Sequence, residues 1–263
     1  MDLDFSEDEI ARYSRHILLD EVGGIGQAKL RAACVLVVGA GGLGSPVLLY
    51  LAAAGVGTIG LIDDDRVDLS NLQRQIAHTT DRVGAPKVES AAAAARAINP
   101  AVRIETHRTR LDAGNALDLV SAYEIVCDGS DNFPTRFLVA DACALARRTL
   151  VSAAVLRFDG QLSVFKPHAG GPCYRCLHPA PPPPGLVPSC SEAGILGAVT
   201  GVMGTLQATE TLKEIIGIGQ SLSGRLLLWD ALAARMRTIG LPRDPDCPLC
   251  GDHRTITDLS AHG

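Results

Sequence analysis

Aromatic residues are scarce: one Trp, four Tyr and five Phe make up 4% of 263 residues. A base-stacking platform for single-stranded nucleic acid needs more of them. Basic blocks are missing as well. The 24 Lys and Arg are set against 29 Asp and Glu, a formal net charge of −5, with both signs mixed along the chain. Nucleic acid is therefore not the expected partner. The first residues, MDLDFSEDEI, are acidic and lack the apolar stretch of an export signal. One long run, Ala32 to Ile62, carries no charge, but seven glycines and Pro46 interrupt it. Two buried strands and a helix account for that run better than a membrane span does. No internal repeat is visible. Hydrophobic residues at 47% against 20% charged exclude disorder.

What is present points to one large α/β domain of the cytoplasm. The chain is long for one domain, short for two, and able to bury enough surface to fold without disulfides. It holds eight cysteines: Cys34, Cys127, Cys143, Cys173, Cys176, Cys190, Cys247 and Cys250. In a reducing compartment, pairs at C-x-x-C spacing read as metal ligands before disulfides. Cys173-Tyr-Arg-Cys176 and Cys247-Pro-Leu-Cys250 form two such pairs. Two bites close a tetrahedral thiolate site with no open position, so the expected ion is a structural Zn²⁺.

Strand-like and helix-like segments alternate over the first 154 residues. Helices are expected at 7–19, 26–33, 43–54, 86–98 and 133–146, and strands at 34–39, 58–62, 102–107, 124–127 and 150–154. Such alternation builds a doubly wound, Rossmann-like and mostly parallel sheet. Gly160–Phe165, Arg225–Trp229 and Arg235–Ile239 read as antiparallel strands that extend it. The proline-rich stretch 179–188 reads as an exposed crossover loop, followed by a long apolar helix from Gly194 to Ile216.

Gly39-Ala-Gly41-Gly42-Leu-Gly44 fits G-x-G-x-x-G between a strand and a helix. Glycines let backbone approach phosphates, and the helix N-terminus supplies N–H donors. Asp63 closes the next strand, where a carboxylate can accept from ribose hydroxyls. Ser70-Asn71-Leu72-Gln73-Arg74-Gln75, Lys87, and Asp131-Asn132 follow at strand ends or a helix start. Two cations and an acid suit a triphosphate with Mg²⁺ better than a dinucleotide, so ATP is preferred over NAD. The NAD-dependent oxidoreductase reading rests on the glycine loop alone and leaves Arg74, Lys87 and Asp131 unused. A zinc-tied scaffold without chemistry leaves the same residues unexplained.

The order R-Y-S-R, G-A-G-G-L-G, S-N-L-Q-R-Q, P-K, D-G-S-D-N and two C-x-x-C pairs, from about Arg12 to Cys250, resembles the MoeB/ThiF adenylyltransferases, relatives of the ubiquitin-activating enzymes. The resemblance implies ATP-dependent adenylation of the C-terminal glycine of a small ubiquitin-like sulfur carrier ending in Gly-Gly. It implies nucleotide contacts from Gly39, Gly41, Gly42 and Gly44, ribose contact from Asp63, and phosphate contacts from Ser70, Asn71, Leu72, Gln73, Arg74 and Lys87. Asp131 would hold Mg²⁺ beside Asn132. Arg15 would reach the ATP of the other subunit of a homodimer. The expected layout is N-terminal helices at 1–33, a nucleotide-binding half at 34–155, a carrier-binding half at 156–250 with a crossover loop at 177–193 and the zinc site, and a tail at 251–263.

The carrier for molybdopterin synthesis is the first expectation, on the A-P-P-P-P-G-L-V-P-S-C-S-E-A-G segment. The thiamine-thiazole carrier is the alternative, on R-Y-S-R and the triplet Asp63-Asp64-Asp65. Adenylation of a modified tRNA base is a further family possibility, against which the lack of a basic run argues. No rhodanese-like segment follows Cys250, so the sulfur donor is expected to be a separate protein. Ser189-Cys190-Ser191-Glu192 fits a capping box on the long helix, placing Cys190 in a first turn where the helix dipole lowers a thiol pKa. In the family, a cysteine here is implicated in a thioester or persulfide step. That step follows adenylation, so Cys190→Ala is expected to leave ATP–pyrophosphate exchange at the wild-type rate. A collapse of exchange would move the thiol, or its cap, into the first step.

Overall fold

Apolar runs and amphipathic segments assemble around one eight-stranded sheet in the computed structural model, which describes residues 3–183, 186 and 193–263. Five strands are parallel: β1 (Cys34–Val38), β2 (Thr58–Ile62), β3 (Arg103–His107), β4 (Ile125–Asp128) and β5 (Thr149–Leu156). Their spatial order is β3-β2-β1-β4-β5. Antiparallel β6 (Asp159–Phe165), β7 (Arg225–Asp230) and β8 (Arg235–Gly240) continue the sheet in chain order.

The period-two alternation of β1 divides the core. Val35 and Val37 face one side, packed in one cluster with α3 (Gly44–Ala54), α4 (Lys87–Ile98) and α8 (Gly197–Ile216). Leu36 and Val38 face the other, with α5 (Ala116–Ser121) and α6 (Phe133–Leu145). A sheet covered on both faces explains why β1, β2 and β4 read as continuous apolar runs. Before the sheet, α1 (Glu7–Ile17) begins in a Ser6–Glu9 capping box, and α2 (Gly23–Ala32) leads into β1. The charge-free run 32–62 thus contains β1, α3 and β2. Among the described residues no helix is long and apolar enough to cross a membrane.

Two local expectations are corrected. The long helix α8 starts at Gly197 rather than Gly194, and its N-cap is Leu196, without a side-chain cap. Gly194 has φ +73°, and Ile195 bridges Arg157, so the chain there is turning and pairing, not helical. Ser189, Ser191 and Glu192 of the expected capping box fall outside the described residues, and so does Cys190. Helix α5 was not anticipated: it is a six-residue helix nucleated behind a turn in which Asp112 Oδ1 accepts from the amides of Gly114 and Asn115.

Gly44 shows why the strand-to-helix turn is glycine-rich. A Cβ there would sit 1.7 Å from the carbonyl oxygen of Gly39. Backbone cannot yield as a flexible side chain does, so the clash distorts the β1–α3 turn itself. Gly44→Ala is expected to lower stability by about 2 kcal/mol or more. The check is the urea midpoint, and an unchanged midpoint would contradict this packing.

Candidate active site and metal centre

Because β1 lies between β2 and β4, the loops leaving all three strands open at one edge of the sheet. These are the glycine loop 39–44, the segment beginning at Asp63, and the turn Gly129–Asn132. They border one open cleft of about 660 Å³. Gly39 (φ +88°) turns the chain where a Cβ would crowd the Gly129 carbonyl at 3.1 Å. Gly42 does the same against Thr200 of α8, at 3.1 Å from its hydroxyl oxygen. Backbone can thus approach a ligand closely along the loop.

Asp63 Oδ2 accepts from the Ala40 amide at 2.8 Å and Oδ1 from the Asp65 amide at 2.9 Å. Burial pushes its pKa up, while the Lys87 charge and these two amides hold it down. Lys87, 6% exposed, enters from the first turn of α4 and donates to Asp65 Oδ2 at 2.7 Å. Its charge therefore sits at the cleft floor, paired with the exposed Asp65 and acting on Asp63. Arg74 is half-buried and donates to the Ser70 carbonyl at 3.0 Å. That bond is set by a single 3₁₀ turn, Leu69–Asn71, capped by Asp68, whose carboxylate accepts from the Ser70 amide and hydroxyl.

Of the residues singled out in the sequence, Gly39, Gly41, Gly42, Asp63, Arg74, Lys87, Asp131 and Asn132 border this cleft. Gly44, Ser70, Asn71, Leu72 and Gln73 do not. Gly44 lies beneath the loop, and Ser70 to Gln73 build the turn that presents Arg74 and Gln75. Asp131 is exposed at the rim, and Asn132 caps α6 by accepting from the Thr135 amide at 2.9 Å. Arg15 is exposed on α1 and takes no part in the cleft of its own chain.

Arg136 is a cleft residue that sequence reasoning missed. It is 6% exposed. It pairs with Asp128 at 3.3 Å and donates to the carbonyls of Ser130 (2.6 Å) and Ala153 (2.8 Å). It fastens the turn carrying Asp131 to the ends of β4 and β5. The available signal was an arginine in the otherwise apolar face of Phe133–Leu145. Gln75, 4% exposed, also borders the cleft, with its side-chain amide beside Gly41. The cleft continues along β5, β6 and β7 past Ala154, Leu156, Gly160 and Leu228, a mostly apolar arm that also carries Asp159 and Gln161.

Away from the cleft, Cys173, Cys176, Cys247 and Cys250 bring their sulfurs within 4.8 Å of one another. Cys173 Sγ lies 3.4 Å from Cys247 Sγ and 3.9 Å from Cys176 Sγ, and Cys176 Sγ lies 3.4 Å from Cys250 Sγ. Four thiolates about 2.3 Å from a tetrahedral zinc are about 3.8 Å apart, so the cluster fits such an ion. A hydrogen bond from Cys173 chiefly, with help from the Asp244 amide, brings the Cys176 thiol down to about 5. The cluster could hold zinc. By contrast, burial pushes Cys127 up to about 12 and raises Cys143 well above the ordinary thiol range. Neither sits in the cleft.

Comparison with known proteins gives this geometry a family. Residues 13–249 match the ThiF family. Over 97% of its length the chain is 56% identical to the "Adenylyltransferase and sulfurtransferase MOCS3" of Bos taurus, of which it spans 56%. It is 51% identical to the "Sulfur carrier protein adenylyltransferase" of Thermus thermophilus, covering 97% of this chain and 96% of that one. Several of the curated relatives it matches are thus nearly twice its length. Crystal structures of E. coli MccB share the fold: the complex with MccA-N7isoASN gives a TM-score of 0.81 over 95% of this chain and 76% of that one, at 23% identity. With the matched region running from α1 to the second cysteine pair, the chain belongs to the ThiF family.

Proposed function

We propose that this protein is an adenylyltransferase. It uses ATP to activate the C-terminal glycine carboxylate of a small ubiquitin-like sulfur-carrier protein, in the route to molybdopterin. The observation that carries the reading is the convergence of Arg74, Lys87, Asp63 and Asp131 on the glycine loop in one cleft. The names of the relatives agree with it. A dinucleotide oxidoreductase would leave both cations and Asp131 without work.

In this reading the amides of the glycine loop and the N-terminus of α3 meet the phosphates, and Asp63 meets the ribose. The carrier tail enters along the apolar arm between β5 and β7 and brings its carboxylate to the α-phosphate. One carboxylate oxygen forms a bond to the α-phosphorus. The bond from that phosphorus to the bridging oxygen breaks, and its electron pair leaves with pyrophosphate. The carboxylate is already ionised, so no general base is required. Both reactants are anions, and their repulsion is part of the barrier. Arg74 and Lys87 screen it and stabilise charge spreading over the phosphoryl oxygens. Positioning of the tail supplies much of the remainder. Mg²⁺ would be held by Asp131 and would neutralise phosphate charge when bound. Arg15 would come from the second subunit of a homodimer. Cys190 would act after adenylation.

The four cysteines would hold a structural Zn²⁺, fixing the segment around Cys247 and Cys250 to α7 (Tyr174–Leu177). Metal analysis of gently purified protein is expected to give one zinc per chain, and Cys247→Ala is expected to lose it with a lower melting temperature. Clearly less than one zinc in the wild type would contradict the assignment.

Incubation with ATP, Mg²⁺ and carriers ending in Gly-Gly is expected to yield a carrier–AMP adduct by mass spectrometry. The molybdopterin carrier should react first, and preferential reaction of the thiazole carrier would transfer the assignment to that route. Asp131→Ala is expected to lose ATP–pyrophosphate exchange by roughly 100-fold or more. Near-normal exchange would remove Asp131 from the mechanism.

A further inference from the structure

Behind the glycine loop, on the side away from the cleft, lies a histidine that no step above uses. His78 is 6% exposed and sits between the loop and α4. Its Nε2 is 2.9 Å from the carbonyl oxygen of Ala40, and its Nδ1 is 2.9 Å from the hydroxyl oxygen of Ser90. A carbonyl only accepts, so Nε2 carries the proton and Nδ1 accepts from the Ser90 hydroxyl. Burial lowers the pKa of the ring, and Lys87 and Arg82 nearby add to that, against the opposing effects of Ala40 and Asp63. The neutral tautomer is the one this network requires.

Ala40 is thereby gripped on both sides, its amide by Asp63 and its carbonyl by His78. The next peptide unit is trans, so its N–H, that of Gly41, points opposite to the carbonyl that His78 holds. Gly41 and Gly42 border the cleft, and their amides take no acceptor from the described residues. A half-buried amide without a protein acceptor is a donor kept for a ligand.

We propose that His78 is a positioning residue for nucleotide binding: by holding the Ala40 carbonyl behind the loop, it aims the Gly41 amide at the phosphates. The inference rests on the ATP reading and adds to it the device that presets the phosphate cradle. Without His78 the Ala40–Gly41 peptide is free to rotate, and the donor has to be ordered by the ligand itself. The nucleoside contacts are untouched.

The test compares ATP and adenosine, each by competition against a fluorescent ATP analogue, for the wild type and His78→Phe, His78→Asn and His78→Gln. Phe removes the donor at similar size. Asn can still meet Ser90 but is too short for Ala40, and it serves if the Phe variant fails to fold. Gln places an N–H near the position of Nε2. The expected result is ATP affinity weakened about tenfold in Phe and Asn, the worth of about one hydrogen bond. Adenosine affinity is expected to stay unchanged, with Gln close to wild type. Parallel loss of both ligands would show a role in folding only. Unchanged ATP affinity in Phe or Asn, or loss in Gln equal to theirs, would equally overturn the proposal. A wild type that binds no ATP would instead sink the adenylation reading on which it stands.

Discussion

Parallel pairing of β1 with β2 on one side and β4 on the other is the constraint on which the site depends. Parallel strands present the same end at one edge, so the residues following Val38, Ile62 and Asp128 are brought together although they are far apart in sequence. Chain order reverses at β1, and the crossovers leave a crevice there that no helix among the described residues fills. The glycine loop, Asp63 and the turn bearing Asp131 need no long-range design of their own. Lys87 needs only the first turn of α4, and Arg74 only a capped 3₁₀ turn.

Charge in the crevice is arranged so that cations are held without being spent. Lys87 is nearly buried, yet its partner Asp65 is exposed, so solvent weakens their attraction. Arg74 donates to a carbonyl rather than to a carboxylate. A deeply buried ion pair, Asp128–Arg136, lies beneath the turn that carries Asp131. Asp128 also accepts from the hydroxyls of Ser130 and Ser152, and the buried Gln207 amide from α8 donates to its carbonyl. A pair so fully hydrogen-bonded specifies one geometry, because losing either partner strands a charge away from water.

Much of this was legible in the sequence because the signals are local. The apolar strands, the glycine turn and the helices at 44–54 and 87–98 announce themselves by composition and by Pro46, Gly55 and Pro86. Paired cysteines announce themselves by spacing. Helix α5 did not, since six residues between two loops give too few turns for periodicity to register. The start of α8 was misplaced because Gly194 to Leu196 share the apolar composition of the helix without its backbone conformation. Leu196 caps the helix with backbone geometry alone, which sequence does not display. Arg136 and His78 carry no motif, and D-G-S-D-N does not display the ion pair of its first residue, Asp128; their importance comes from burial, and burial is a property of the assembled sheet and helices.

The cysteine cluster and the cleft share a wall. Tyr174, between Cys173 and Cys176, borders the cleft and packs edge-on against Phe137 of α6 and Phe165 of β6. Arg175, the next residue, donates twice to Asp141 of α6, which is fully buried and also contacts His262 near the end of the chain. Helix α6 begins at the Asp131–Asn132 turn and carries Arg136. One short helix, α7, thus contacts both the cysteine cluster and α6, the helix that follows the Asp131 turn and meets His262 through Asp141. A structural ion in that cluster would do more than close a loop. By restraining α7 it would hold the part of the cleft wall that Tyr174 forms against α6, the helix that carries Arg136.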